Sequence, residues 1–543
     1  MRSDMNGGDG AGGVGRRRPA GFRHGRDRRA RVYPAPAGRP RVRGEDRPSV
    51  AVIGGGIAGL AAATALAERG VRVTVHERGE HAGGRLAGWP TTLADGSRVT
   101  MSRGFHAFFR QYYNLRGLLR RTDPALRGLT PLPDYPLWHD SGARDGFARV
   151  PRTPPWSALG FVALSPTFGW GDLLDMRPAA ALPLLDVRVP EVYHRLDGMN
   201  AREFLGRVNF PEAAHHLAFE VFSRSFFADP RELSAAELVV MFHIYFLGSS
   251  EGLLFDVPDE PYPRALWDPL IGYLAGHGAE VRTGSAVETI EPLVRPPGGA
   301  GGTAPGVVVT ADGRDRRYDA VVLAADPGGL RNLVAASPRL GAPEWRERIG
   351  RLRTAPPFLV SRLWLERPVD ADRPGFLGTG GFGTLDNVGV LERWEGEAAR
   401  WSARTGGSVV ELHAYALEPG ADRGKEQRRL IEQLHRVYPE TRDIRVVDER
   451  HEWHADCPLF PVGGWADRPT VWTDDPRVVV AGDGVRTDLP VALMERAATT
   501  GFQAANALLE RWGVRGQTLW SVPNGGRSPV LRALARRYGD LVD

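Results

Sequence analysis

The stretch SVAVIGGGIAGLAAATALAERGVRVTVHE, residues 49–77, decides the fold of this chain. A β-branched run ends at three glycines, alanine-rich helix formers follow, Gly70 ends them, and a second β-rich run closes at Glu77. This order predicts strand, tight turn, helix and strand, with the G-x-G-x-x-G positions filled by Gly54, Gly56 and Gly59. The glycines also argue against a membrane span, although the apolar run is nearly long enough for one.

Each glycine of this turn has a physical role. The first allows the sharp turn, the second lets the backbone approach a pyrophosphate, and the third lets helix and strand pack closely. The N-terminus of the helix adds unpaired N–H groups and a positive dipole end. Glu77 stands where a carboxylate binds a ribose hydroxyl, which argues against a 2′-phosphate. The stretch predicts a dinucleotide site, and a glycine-rich turn without a ligand stays the alternative.

Two further pieces resemble flavoproteins of the glutathione-reductase class. Gly83-Gly84-Arg85 follows the ribose carboxylate, and Gly482-Asp483-Gly484 ends an apolar run near the other end of the chain, before a helix. In that class the first loop wraps the FAD diphosphate and the aspartate binds the ribityl chain. The helix points its N-terminal dipole at the pyrimidine end of the flavin. The resemblance implies FAD, held without a covalent bond because no His or Cys stands at a flavinylation site.

Composition limits the other classes of function. The 543 residues are 42% hydrophobic, which allows a large core and several domains. Cys457 is the only cysteine, so no internal disulfide or thiolate cluster can form, and we expect no metal and a reducing, cytoplasmic setting. The net charge of +5 is almost wholly arginine and accompanies no nucleic-acid motif, so we expect no nucleic-acid partner.

The pattern along the chain predicts an α/β fold, α+β overall. We expect a discontinuous Rossmann FAD domain of the glutathione-reductase type with an inserted substrate domain of helices and sheet. Its three parts are residues 48–115, 271–330 and 471–511. Between them lie a helical substrate- or membrane-facing insertion, 116–270, and the sheet and helices of the substrate domain, 331–470. A disordered basic tail, 1–47, precedes them, and a C-terminal tail with a basic amphipathic helix, 512–543, follows.

Two motifs resemble the carotenoid desaturase family. They are SRGFHAFFRQYYNLRGLLRR, residues 102–121, and LPVALMERAATTG, residues 489–501. The chain is most similar to the actinobacterial isorenieratene synthases, the carotenoid φ-ring synthase branch, from residue 48 to about residue 510. Two departures stand out: Ser102 replaces the acid that many desaturases have there, and Arg496 replaces the small residue of the phytoene desaturases. The second departure favours a separate branch.

The resemblance implies an FAD-dependent oxidoreductase acting on CH–CH groups. It would convert the β-ionone rings of β-carotene to aromatic φ-rings, yielding isorenieratene, by removing four hydrogens and moving one methyl group per ring. Phytoene-type linear desaturation stays an alternative. Amine oxidation is disfavoured, because the only lysine, Lys425, lies far from any flavin motif. A prenyl-binding escort protein of the same fold is the alternative outside enzymes.

The same resemblance names the site residues. It implies catalytic roles for His106, Tyr112 and Glu495, and a core histidine, a core aromatic residue and an acid at a helix start stay the alternatives. The residues expected to bind the cofactor are Gly54, Gly56, Gly59, Glu77, Arg78, Gly84, Arg85, Gly104, Val287, Ala324, Gly482, Asp483 and Met494.

The expected partners are a carotenoid, a membrane surface and an electron acceptor, for which a quinone is one candidate. A water-insoluble polyene has to come from a bilayer, so we expect peripheral attachment to the inner face of the cell membrane. Residues 155–190 and the helix SPVLRALARRYGDLV from Ser528 are the candidate attachment segments. Docking of that helix onto its own domain is an equal alternative.

Overall fold

The structure is a computed structural model that describes residues 27–44, 47–165, 182–209, 227–293 and 306–539. In these residues the strands are β1 Arg31–Tyr33, β2 Ser49–Ile53, β3 Arg72–His76, β4 Gly88–Thr92, β5 Arg98–Ser102, β6 Phe108–Phe109, β7 Leu129–Pro131, β8 Leu137–His139, β9 Arg144–Asp145, β10 Phe255–Pro258, β11 Glu280–Arg282, β12 Val287–Pro292, β13 Val307–Ala311, β14 Arg314–Tyr318, β15 Ala320–Leu323, β16 Phe358–Leu365, β17 Phe376–Gly380, β18 Asn387–Val390, β19 Ser408–Ala414, β20 Val446–His454, β21 Val478–Val480 and β22 Leu519–Ser521. The α-helices are α1 Ile57–Glu68, α2 Tyr113–Leu119, α3 Trp156–Leu164, α4 Glu191–Leu196, α5 Ala201–Val208, α6 Ala235–Phe242, α7 Asp268–Gly276, α8 Pro327–Ala336, α9 Pro343–Arg351, α10 Gly396–Thr405, α11 Arg423–Val437, α12 Leu493–Arg511 and α13 Pro529–Gly539.

A five-stranded parallel sheet forms the nucleotide-binding half, in the order β11-β3-β2-β15-β21. Four distant chain segments supply these strands, and β2, β15 and β21 are almost fully buried, as strands covered on both faces should be. A three-stranded antiparallel sheet, β12-β13-β14, lies beside it. The discontinuous Rossmann-type architecture predicted from the sequence is confirmed, whereas the exact domain boundaries stay predictions.

Helices α1 and α12 cross in this half at a contact of backbone against backbone. A Cβ atom at Gly501 would lie 2.3 Å from the carbonyl oxygen of Ala58, and one at Gly59 would lie 1.9 Å from that of Gly54. No side chain fits at either position. The third glycine of the motif therefore serves packing, which brings the N-terminus of α1 to the carboxyl ends of the strands.

The substrate half is built on a seven-stranded mixed sheet, in the order β20-β16-β19-β18-β17-β8-β9. Strands β16 and β19 are buried along their whole length, and α11 packs against them. The insertion predicted as mostly helical contains α3 to α6, but it also contributes β8 and β9 to this sheet. The π-helical turn His243–Leu247 continues α6, and both are buried.

A buried ionic cluster joins the helical insertion to the nucleotide half. The Glu237 carboxylate of α6 accepts a hydrogen bond from Arg496 of α12 at 2.9 Å, and it also pairs with Arg468. The Tyr193 hydroxyl donates to the same carboxylate at 3.0 Å. Burial alone would raise the pKa of Glu237, but Arg496 and Arg468 lower it to about 2, so the carboxylate stays ionised.

The N-terminal segment corrects one expectation. The sequence predicted a disordered tail over residues 1–47, but β1 pairs with β22 along three residues and Val42 is buried against the core. Composition suggested disorder because the segment cannot bury surface by itself, whereas its partner strand lies near the other end of the chain. Residues 1–26 and 45–46 lie outside the described residues.

The contact between α1 and α12 can be tested with one methyl group. We expect Gly501→Ala to lower the free energy of unfolding by about 2 kcal/mol, the usual cost of overpacking. Gly272→Ala is the control, because Gly272 lies in α7 and a Cβ added there would have nothing within 4 Å, so alanine should stabilise by about 0.5–1 kcal/mol. Urea denaturation of both variants measures the difference, and equal stabilities would contradict the close crossing.

Candidate functional site

A cavity of about 830 Å³ runs from the carboxyl ends of the parallel strands to the sheet of the substrate half. Its wall contains most of the residues that the sequence singled out, namely Gly54, Gly56, Glu77, Arg78, Gly84, Arg85, His106, Tyr112, Val287, Ala324, Gly482, Asp483 and Met494. Gly59, Gly104 and Glu495 are not part of that wall. Residues more than 400 positions apart in the chain therefore share one cavity, as the FAD hypothesis requires.

The glycine loops form a cradle of backbone at one end of the cavity. Gly54 has φ +110° and a Cβ there would lie 2.5 Å from the carbonyl oxygen of Ala324. Gly84, with φ +59°, approaches Gly56 so closely that a Cβ would lie 3.1 Å from its Cα. Gly56 is the N-cap of α1, so the free N–H groups of the first turn lie beside this cradle. The cradle fits a diphosphate.

Carboxylates stand on either side of the cradle. Glu77 accepts hydrogen bonds from the backbone N–H groups of Gly55 and Gly79, each at 2.7 Å, which fix its side chain at the cavity wall. Asp483 forms an ion pair of 2.6 Å with Arg85. An acid beside the cradle, suited to a ribose, and an aspartate at the far segment match the two halves of an FAD site. The residues present thus fit FAD.

His106 lies where the nucleotide end of the cavity meets the substrate end. Its Nδ1 is 3.0 Å from the carbonyl oxygen of Gly104, to which the Tyr262 hydroxyl also donates, at 2.7 Å. A carbonyl oxygen only accepts, so Nδ1 carries the proton and Nε2 carries the lone pair in the neutral ring. Burial lowers the pKa of His106 to about 4, against the opposing effect of the Gly104 hydrogen bond, so the ring is a weak base.

Gly104 supports this arrangement without lining the cavity. Its φ is +91°, and a Cβ there would lie 2.3 Å from Cε1 of His413. Any side chain would push the loop that carries His106 away from β19. We infer that Gly104 acts on the site through packing, and a direct contact with the cofactor stays a prediction.

The other two candidates differ in their access to the cavity. Tyr112 lines it, and its hydroxyl is 2.9 Å from the hydroxyl of Tyr245. Glu495 instead accepts hydrogen bonds from the backbone N–H groups of Asn114, at 2.8 Å, and Leu115, at 2.9 Å, so it caps the start of α2. Burial raises the pKa of Glu495 to about 8, although both N–H groups oppose that rise. Catalytic roles for both residues stay predictions.

Sequence reasoning missed a polar row on β19 and just beyond it. Glu411, His413 and Tyr415 alternate with apolar residues, so their side chains share one face of the strand. His413 Nε2 is 2.9 Å from the Glu411 carboxylate, and Nδ1 is 2.7 Å from the Tyr415 hydroxyl. His413 and Tyr415 line the cavity, whereas Glu411 lies behind them. The alternation of polar and apolar residues in an otherwise apolar strand could have indicated this row from the sequence.

Aromatic rings form most of the remaining wall of the substrate end. Phe105 stacks on Phe376 with ring centroids 4.2 Å apart, and Tyr415 meets Phe227 edge to face at 4.7 Å. The further aromatic side chains in this wall are Phe109, Tyr135, Phe147, Tyr245, Phe255 and Phe358. Such a wall suits an apolar substrate, and its ring faces can stabilise a positive charge.

Comparisons with known proteins agree with this geometry. Residues 57–509 match the family of flavin-containing amine oxidoreductases. The chain is 72% identical to a carotenoid phi-ring synthase of Streptomyces griseus, over 95% of this chain and 98% of that protein. It is 26% identical to the carotenoid phi-ring synthase of Chlorobaculum tepidum, over 88% and 90%. A solved putrescine oxidase shares the fold, with a TM-score of 0.61 and 18% identity, over 86% of this chain and 99% of that one.

The acid beside the cradle gives a direct test of the cofactor site. We expect Glu77→Gln to weaken FAD binding about 10-fold or more, because a hydrogen bond to a charged group contributes about 1.5–3 kcal/mol. Glu280→Gln is the control, since Glu280 is exposed and pairs with Arg282 outside the cavity. Fluorescence titration of the FAD-free protein measures both affinities. Equal affinities of the two variants would show that Glu77 does not hold the ribose.

Proposed function

The chain belongs to the flavin-containing amine oxidoreductase family, and we propose that within this family it is a carotenoid φ-ring synthase with FAD as its cofactor. It is then an oxidoreductase of carotenoid biosynthesis that turns β-ionone rings of β-carotene into aromatic rings. The observation that carries this proposal is the identity to the Streptomyces griseus enzyme over nearly the whole of both chains. The aromatic wall beside the cofactor cradle supports it.

The reaction assigns distinct tasks to the chain. Each ring loses two hydrides and two protons, and one methyl group moves from C1 to C2. Bound FAD supplies the acceptor for the hydrides. The protein has to bind the end group of the polyene, exclude water from the positive charge that hydride loss leaves on carbon, and accept the protons. Phe105, Phe376 and the neighbouring rings suit the first two tasks.

The alternatives differ in what they require of the cavity. Linear desaturation uses the same cofactor and needs no room for a ring. Amine oxidation with a lysine beside the flavin does not fit, because Lys425 lies on α11 and is absent from the cavity wall. An escort protein does not need the Glu77 and Asp483 positions that line the cradle.

Product analysis decides between these reactions. We expect co-expression with a β-carotene pathway to yield carotenoids with one or two aromatic rings. Mass spectrometry should show four hydrogens fewer per modified ring, and proton NMR should show aromatic methyl signals. His106→Ala should lower conversion while FAD stays bound. If β-carotene is returned unchanged while a linear polyene such as phytoene is desaturated, the chain is a linear desaturase instead.

We also propose a surface for the membrane. In the described part of the chain, no helix is long and apolar enough to cross a bilayer. Two helices nevertheless expose large apolar side chains: Trp156 is 63% and Leu164 is 54% exposed on α3, and Val530 is 68% and Leu534 is 41% exposed on α13. We call these four residues the apolar edge.

The apolar edge belongs to one packed region. Helix α13 packs against residues Leu182–Leu185, which contact the turn His243–Leu247, as α3 does. Ala535 of α13 is buried, and Arg536 pairs with Asp186 at 3.0 Å. The tail helix therefore docks onto its own domain and still exposes Val530 and Leu534. Residues 166–181 of the candidate segment lie outside the described residues.

Liposome flotation tests the apolar edge. We expect the protein to float with anionic vesicles, and Trp156→Gln with Leu164→Gln to weaken binding about 10-fold or more, because burying each side chain contributes about 1.5–3 kcal/mol. Trp472→Gln is the matched control, since Trp472 is 60% exposed beside β21 in the nucleotide half. Equal flotation of both variants, or none of the unchanged protein, would contradict this surface.

A further inference from the structure

We propose that Tyr415, His413 and Glu411 form a proton-accepting chain that takes up the protons released from the substrate ring. This inference rests on the proposed function, because a ring that becomes aromatic has to lose protons as well as hydrides. Neither the motifs nor the comparisons assign a role to these three residues. Tyr415 is the catalytic residue of the chain, His413 takes over its proton, and Glu411 holds His413 in position.

The hydrogen bonds give the three side chains a single direction. Glu411 is ionised and lies 2.9 Å from Nε2 of His413, whereas the backbone N–H of Phe105 approaches the same nitrogen only to 3.4 Å, so Nε2 carries a proton and donates it to Glu411. In the neutral ring Nδ1 is then an acceptor, and the Tyr415 hydroxyl donates to it at 2.7 Å. The side-chain amide of Asn387 donates to the Tyr415 oxygen at 3.1 Å. The phenol oxygen keeps one lone pair, and Tyr415 is part of the cavity wall.

The guanidinium of Arg362 fixes the Glu411 end of the proton-accepting chain. Arg362 donates two hydrogen bonds to the second oxygen of Glu411, at 2.6 and 2.9 Å, and this pair is buried. Burial would raise the pKa of Glu411, but Arg362 lowers it to about 2, so the carboxylate is ionised. Burial raises the pKa of Tyr415, which keeps the phenol protonated before the reaction. With Glu411 ionised and Tyr415 protonated, the proton-accepting chain can take up one proton.

Once hydride loss has left a carbocation on the ring, a neighbouring C–H bond breaks and its electron pair forms the new ring C=C bond. The proton bonds to the Tyr415 oxygen while the original hydroxyl proton moves to Nδ1 of His413. The resulting imidazolium lies between the phenol and the Glu411 carboxylate, which stabilises its charge. The second oxidation of the ring repeats the step once the proton has left and an external electron acceptor, such as a quinone, has taken up the two electrons of the first oxidation.

Two other histidines of the cavity wall are rival proton acceptors. His454 pairs with Glu452 at 2.9 Å. Their side chains, however, are 29% and 23% exposed to solvent, unlike the buried pair of His413 and Glu411.

The surroundings of His106 disfavour the second rival. Its Nδ1 is committed to the Gly104 carbonyl, and no carboxylate is hydrogen-bonded to its ring in the described residues. Protonated His106 would therefore gain no counter-charge comparable to Glu411. The low pKa of His106, about 4, agrees with this difference.

Kinetics of two variants and a control test the chain. We expect Tyr415→Phe and His413→Ala to lower kcat for ring aromatisation about 10²-fold, the usual contribution of general base catalysis, with KM and bound FAD nearly unchanged. Tyr438→Phe is the control for loss of a buried hydroxyl. Tyr438 is fully buried in the same half, outside the cavity wall, and its hydroxyl has no hydrogen-bond partner in the described residues. This variant should keep kcat within about 2-fold of the unchanged protein, because general base catalysis does not involve it.

Chemical rescue separates a proton acceptor from a packing residue. Imidazole added to His413→Ala should restore about a tenth or more of the lost rate, whereas 1,2,4-triazole, of equal size but far lower basicity, should restore little, because general base catalysis follows the basicity of the acceptor. Equal rescue by both azoles, or full activity of Tyr415→Phe, would contradict the proposed proton-accepting chain. An unchanged protein that produces no aromatic carotenoid would overturn the proposed function instead, so the two failures are distinguishable.

Discussion

The buried carboxylate of Glu237, held between Arg468 and Arg496, is the interaction on which the rest of the structure depends. It lies on α6 in the helical insertion, whereas Arg496 lies on α12 in the nucleotide half. Removing one partner would leave a buried charge uncompensated, which costs about 3–5 kcal/mol in comparable proteins. Arg496 also donates to the backbone carbonyls of Val491 and Asp483. The cluster thus sets the position of the insertion relative to the cofactor segment.

A second constraint defines the boundary between the two ends of the cavity. The loop with Gly104 and His106 comes from the nucleotide half, and it rests on His413 of the substrate sheet with no room for a Cβ. The imidazole of His413 therefore both contacts this loop and forms part of the cavity wall. Packing at one glycine couples the histidine near the cofactor cradle to the polar row of β19.

The nucleotide half was predictable because its signals are local. The glycine turn, Glu77 and the Gly482-Asp483 segment each carry their function in a few adjacent residues, and of the cofactor residues predicted in them all but Gly59 line the cavity. The features that could not be predicted depend on contacts between residues far apart in the sequence. Arg496 stood out in the sequence, but Glu237 lies 259 residues away. Glu495 was expected at a helix start, and it caps a different helix, α2. The strand β1 pairs with β22, which lies near the other end of the chain.

The arrangement of bases also bears on why such a site would carry out ring chemistry. A methyl group can migrate only while the carbocation survives, so a free carboxylate beside it would remove a proton too early. Two carboxylates of the cavity wall near this end are each engaged: Asp386 accepts the backbone N–H of Tyr415, and Asp456 forms an ion pair with Arg103 through one of its oxygens. The ionised Glu411 is kept out of the cavity by His413. The proposed proton acceptor is instead a neutral phenol, which becomes basic only by passing its own proton on. Aromatic faces that stabilise the cation and a delayed base favour migration over immediate loss of a proton.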